Sequence, residues 1–201
     1  GPQAGGDRGE DDQHRAAQGG DRSEDDVSAL LMQSAHADPR FTDDKHFLRD
    51  CRWEAFRGSG PGGQKRNKTS SAVRIVHIPT RIEAVSSESR SQARNREFAL
   101  RRLRHRVILE QRRPVDLTGF HFPAWWSAWG GLGVPRPRVE YLAVLGLVLD
   151  VLAATGWRVS DAARLLRVST GALSKFLAAD RKAWATVNAA RMAAGLGALV
   201  G

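Results

Sequence analysis

The feature that most constrains this chain is Arg57-Gly58-Ser59-Gly60-Pro61-Gly62-Gly63-Gln64-Lys65-Arg66-Asn67-Lys68-Thr69. Residues 58–63 hold four glycines and one proline. Glycine forfeits the most backbone entropy on ordering and proline withholds an N–H, so neither a strand ladder nor a helix can absorb such a run. A loop is required there, and its neighbours must support it. Before it, Cys51, Trp53 and Ala55 alternate with Arg52 and Glu54, which predicts a half-buried strand over 51–56. After it, residues 72–78 predict a second strand. The Pro79-Thr80-Arg81 turn then leads into a third over 82–86.

Around this unit the pattern is helical. Thr42 followed by Asp43 and Asp44 reads as an N-cap with acidic first-turn residues, opening a short helix to about residue 50. A long helix is expected from about residue 90 to 111, ending before Pro114. At 100° per residue, Arg90, Arg94, Arg101, His105 and Arg112 fall within about 60° of one another, opposite Leu100, Leu103 and Val107. One face should pack on a sheet and the other present a ladder of cations. The predicted organisation is an acidic disordered segment over 1–41, an α+β domain over 42–113, a Pro/Trp/Gly linker over 114–138 and a helical domain over 139–201.

Charge is distributed unevenly. Residues 1–44 carry a net −7, residues 45–115 a net +12 and residues 116–201 a net +4. A strongly basic middle predicts a polyanionic partner. The single cysteine, Cys51, closes no internal disulfide and offers no zinc set, so a reducing, cytoplasmic setting is expected, with no metal or cofactor. The longest apolar run, residues 141–149, is far short of the roughly 20 residues of a membrane span, so no membrane partner is expected, and neither is a signal peptide.

The glycine-rich stretch continues as Ser71-Ala72-Val73-Arg74-Ile75-Val76-His77-Ile78-Pro79-Thr80 and later Arg90-Ser91-Gln92-Ala93-Arg94-Asn95-Arg96. Together these closely resemble the peptidyl-tRNA hydrolase domain of class I peptide chain release factors, with the likeness covering residues 50–107. The resemblance implies a hydrolase of the ester between nascent peptide and tRNA, acting on large-subunit ribosomal RNA and the tRNA acceptor end as a monomer. Gly62, Gly63 and Gln64 would be the catalytic triplet, with the main-chain amide of Gln64 stabilising charge on the carbonyl oxygen while its side chain shapes room for water. No protein general base is assigned. Arg57, Lys65, Arg66 and Lys68 supply cations suited to RNA phosphates, joined by Arg90, Arg94 and Arg101 on the helix. Asn67, Ser91, Gln92 and Asn95 are expected to support the loop.

Three departures matter. A His-Val pair usually follows the glutamine in decoding release factors, where this chain has Lys65-Arg66. Arg81 replaces the usual turn glycine. No stretch of these residues corresponds to a codon-reading domain, so the expected function is codon-independent, in termination or ribosome rescue. Farther on, Ser160-Asp161 and Ser169-Thr170-Gly171 open two short helices, with Ala163 and Val168 at the small and apolar turn positions of a helix-turn-helix. The alternative is a nucleic-acid-binding protein acting through that motif, with the basic domain as an RNA anchor. For Trp125, Trp126 and Trp129, pinning the linker to a core is preferred to stacking on bases.

Overall fold

The computed structural model describes residues 44–57, 71–136 and 139–200. Expectations for residues 1–43, the acidic segment among them, lie outside these. The described chain is mixed α and β. Helix α1 (Asp44–Arg49) leads into strands β1 (Cys51–Phe56), β2 (Ala72–His77) and β3 (Ile82–Ser86), which form one antiparallel sheet in the order β1-β2-β3. Helix α2 (Gln92–Glu110) packs over β2 and β3. Alternation places Val73 and Ile75 of β2 and Ile82 and Ala84 of β3 on the helix side. There they meet Ala99, Leu100, Leu103 and Val107 of α2 and Phe47 of α1. Each fully buried aliphatic side chain in this layer contributes about 1.5–3 kcal/mol relative to exposure.

Strand β1 corrects the expectation of a half-buried strand. Its register puts Trp53 opposite Ile75, on the helix side, yet Trp53 is 41% exposed. The reason is geometric: α2 lies over the central strand and β3, leaving the β1 edge uncovered. Partial cover comes from Arg96 of α2, whose guanidinium sits 4.6 Å from the Trp53 ring centre. At the β2–β3 turn, Arg81 takes a left-handed backbone (φ 59°) and donates its N–H to the His77 carbonyl at 2.8 Å. The usual glycine is absent, but the left-handed turn is kept at a steric cost of about 1 kcal/mol. His77 is buried against Phe47, ring centres 5.1 Å apart, and its Nδ1 meets Thr80 Oγ1 at 2.8 Å. Burial pushes its imidazole pKa down, against the pull of Asp50.

Beyond α2 come α3 (Ala124–Ala128), a 3-10 turn (Gly131–Gly133), α4 (Val139–Ala154), α5 (Val159–Leu165), α6 (Thr170–Ala178) and α7 (Arg181–Ala193). They enclose a second core of Val144, Leu145, Val148, Leu149, Leu152, Leu173 and Leu177. Trp125 and Trp126 are buried in that core, with Trp129 stacked on Trp125 at 4.9 Å. Ile108 and Leu109, from the last turn of α2, belong to it as well. No helix among the described residues is long and apolar enough to cross a membrane.

One helix therefore serves two cores, and this alters the cation ladder. His105 points not to solvent but to Asp180, Nε2 to Oδ2 2.7 Å, and Tyr141 donates its hydroxyl to the same oxygen at 3.2 Å. Asp180 Oδ1 meanwhile accepts the N–H groups of Lys182 and Ala183 at 3.0 and 3.1 Å, capping α7. Arg112 turns back onto the carbonyls of Ile108 and Leu109 at the C-terminal end of its own helix, where a cation suits the dipole. A second tie runs from the Arg113 N–H to Asp150 Oδ1, 2.9 Å.

The Asp180 node makes stability pH-dependent. Burial alone would raise its carboxyl, but hydrogen bonds from His105, Ala183 and Lys182 together with the His105 charge hold it well below the usual carboxylate range. A carboxylate depressed in the folded state stabilises above its unfolded pKa of about 3.9, and that stability is lost as pH falls toward the folded value. Asp180→Asn is expected to cost about 2 kcal/mol at pH 7. The gap between wild type and variant in urea unfolding should close as pH drops below about 4; a gap that stays constant from pH 7 to pH 2.5 would rule out this account.

Candidate functional site

The last β1–β2 register pair is Phe56↔Ala72, so the glycine-rich segment connects the adjacent ends of two hydrogen-bonded strands. Of the predicted site, Gly62, Gly63, Gln64, Lys65, Arg66, Asn67 and Lys68 lie outside the described residues. Its two ends, Arg57 and Ser71, are described: Arg57 is exposed beyond β1 and Ser71 half-buried ahead of β2.

Ser71 is held by Asn95, a polar side chain that is fully buried at 0% exposure on the first turn of α2. Its Nδ2 donates to the carbonyls of Ser71 at 2.6 Å and Ser89 at 2.7 Å. Its Oδ1 accepts the Ser89 N–H at 2.8 Å and the Ser86 hydroxyl at 3.4 Å. All the hydrogen-bonding capacity of one amide joins the end of β3, the approach to α2 and the exit of the glycine-rich segment. An alanine there would leave backbone groups of two segments without partners.

The helix start is built for this. Ser91 caps α2, its Oγ accepting the Arg94 N–H at 3.4 Å while its own N–H donates to Ser89 Oγ at 3.1 Å. Gln92 is exposed in the first turn. Arg90, Arg94 and Arg101 are exposed, and Arg101 lies with its guanidinium 5.0 Å from the Phe98 ring centre. Arg94 and Arg101 are seven residues apart and so project within about 20° of each other along α2. The structure brings Asn95, Ser91 and the segment's exit together at one end of the domain, and leaves Arg101 farther along the helix, six residues beyond Asn95.

Two arginines that sequence reasoning passed over act as braces. Arg102 donates to the Val85 carbonyl at 2.8 Å and pairs with Glu88, and Arg106 pairs with Glu110 at 3.0 Å and donates to the Glu83 carbonyl. They fasten α2 along β3. Their spacing of four residues was the available signal, but it reads equally as a solvated charged face. Arg104 is buried, 3.2 Å from Asp44 and over the Phe47 ring at 5.0 Å. Of the basic residues on α2, then, only part faces solvent.

The family model of the RF-1 domain matches residues 47–116, the span from α1 through the sheet and α2 to just past its end. Relatives match over the same region. Peptide chain release factor 1 of Clavibacter michiganensis subsp. michiganensis is 46% identical over 67 residues, covering 33% of this chain and 19% of the relative. That of Arthrobacter sp. is 45% identical over 67 residues, again 33% and 19%. That of Rickettsia rickettsii is 37% identical over 100 residues, 50% of this chain and 27% of the relative. The matches thus span about a fifth to a quarter of the relatives' length. Residues 47–116, with their glycine-rich segment set between two paired strands and fastened by Asn95, are an RF-1 domain of the class I release factor type.

Proposed function

We propose that this protein hydrolyses the ester joining a peptide to its tRNA on the large ribosomal subunit, without reading a codon. The observation that carries the reading is the match of residues 47–116 to the RF-1 domain together with Gly62-Gly63-Gln64 between paired strand ends. In the proposed step, water attacks the ester carbonyl. The main-chain N–H of Gln64 donates to the oxygen as negative charge develops, the ester C–O bond breaks, and the proton passes to the departing ribose oxygen. Lys65, Arg66 and Lys68 are assigned to RNA phosphates, with Arg57, Arg90, Arg94 and Arg101 extending the cationic surface. Asn95 and Ser91 position the segment, and neither touches the reacting atoms. The reading also carries a cytoplasmic location, where ribosomes work.

Codon independence is supported by Lys65-Arg66 following the glutamine and by the helical fold of the residues after 116. We read α5 and α6 as a helix-turn-helix-like pair. Arg167 supplies its turn with a left-handed φ of 53°, and the Val168 N–H closes on the Ala163 carbonyl at 3.0 Å. A duplex-DNA function is poorly served by α6: its exposed residues Thr170, Gly171, Ala172, Lys175 and Ala178 include one cation.

The test is release of labelled peptide from ribosomes stalled with a stop codon, a sense codon or an empty decoding site. Similar release from all three is expected. Release confined to the stop-codon complex would overturn codon independence, and none from any of them would overturn the hydrolase reading. Equal hydrolysis of free peptidyl-tRNA would remove the ribosome from the mechanism.

A further inference from the structure

Away from the RF-1 domain, the helical region has an open cleft of about 870 Å³ between the 117–122 segment and the α4–α5 corner. Phe120 and Phe122 form one wall, edge to face with ring centres 5.2 Å apart. Arg158, Arg164 and Arg167 stand around it, against the single carboxylate of Asp161. Arg164 pairs with Asp161. Arg158 and Arg167 are exposed and have no acidic partner among the described residues, so the cleft keeps a positive excess.

A second depression of about 350 Å³ adjoins it and shares two residues, Phe122 and Arg167. The Arg167 guanidinium lies 5.7 Å from the Phe122 ring centre, so this pair forms the ridge between them. Phe122 in turn stacks on the buried Trp126, ring centres 5.3 Å apart, which fixes its orientation. Arg167 occupies the left-handed position after α5, where glycine would be unstrained. A non-glycine residue kept in a disfavoured conformation, with its charge aimed over an aromatic ring, is the kind of local strain that accompanies binding sites.

We infer that this paired cleft binds an unpaired stretch of RNA, two or so nucleotides long, with phosphates on Arg158 and Arg167 and bases against Phe120 and Phe122. Alternating rings and guanidiniums match a single strand, whose bases offer flat faces and whose linkers are anionic. A duplex hides its bases, and an acidic peptide leaves the rings unused. The choice of RNA rests on the ribosomal reading above, whereas the cleft and its charge do not.

The test is fluorescence anisotropy of a labelled single-stranded oligoribonucleotide with the full chain. Lys65, Arg66 and Lys68 are changed to Gln so that the glycine-rich segment does not dominate. Arg167→Gly removes the guanidinium while suiting the left-handed turn, and Phe122→Leu removes the ring while keeping an apolar contact. Each is expected to weaken binding about five- to tenfold. The double variant Arg158→Gln with Arg167→Gly should have a slope of log affinity against log salt shallower than that of its parent by about 1.4, the loss of two phosphate contacts on a single strand. Arg181→Glu, an exposed charge reversal outside the cleft, should change affinity less than twofold. Unchanged binding in the cleft variants, or equal loss in Arg181→Glu, would overturn the inference. So would equal affinity for duplex RNA or displacement by an acidic peptide. If wild type shows cleft-dependent RNA binding but releases no peptide from ribosomes, the hydrolase reading fails and this one stands.

Discussion

Gln64→Pro is expected to slow peptide release by about 10²–10³-fold while Gln64→Ala slows it far less, because only proline removes the main-chain N–H assigned to the developing oxyanion. The comparison separates the backbone from the side chain, which an alanine scan alone does not. A donor aimed where charge appears is worth about 2.7–4 kcal/mol of barrier when water is excluded. Both variants are expected to unfold at the same temperature as wild type, as followed by circular dichroism. Their affinity for the stalled ribosome, measured by co-sedimentation, should also be retained, which confines the loss to the chemical step. Comparable release by the proline variant and wild type would remove the Gln64 amide from the mechanism.

Asn95→Ala is expected to destabilise the RF-1 domain by about 3–4 kcal/mol, because a buried amide with four hydrogen bonds is removed and the carbonyls of Ser71 and Ser89 lose their donor. Urea unfolding followed by circular dichroism would measure it. Asn95→Asp keeps the acceptor for the Ser89 N–H but sets a carboxylate oxygen against the Ser71 carbonyl, so it should lose a similar amount. At temperatures where both variants remain folded, release should still fall, since Ser71 ends the segment carrying Gln64. A loss below 1 kcal/mol would mean that Ser71 is held some other way.

The local parts of this account were legible in the residues. Ser169 caps α6 where Ser169-Thr170-Gly171 predicts a helix start, since a cap is decided within four residues, whereas α5 starts at Val159, one residue ahead of the expected Ser160, with no side-chain cap. The three strands fall within a residue of the alternating stretches, and Asn95 was singled out as a loop support. What misled was any inference about which face meets what. His105 has the spacing of a surface cation, but its partner Asp180 lies 75 residues farther on, and nothing within one helix reveals that pairing. Trp53 alternates correctly and still stands 41% exposed, because the width of sheet one helix can cover depends on how the helix is laid.

Arg167 shows the same limit at a turn. Val168 was readable as the turn position of a helix pair, yet that the neighbouring Arg167 guanidinium lies over Phe122, 45 residues earlier in the chain, is visible only in the folded structure. The three strands, the long helix and the existence of the glycine-rich connection could be read from the residues alone, because backbone sterics and neighbours a few residues apart decide them. Only the tertiary structure decided that α2 is shared by two cores, that β1 remains an open edge, and that Asn95 closes a four-way knot. Each of those depends on distant groups leaving water together, and the free energy of doing so belongs to the assembled surface rather than to any one stretch of chain.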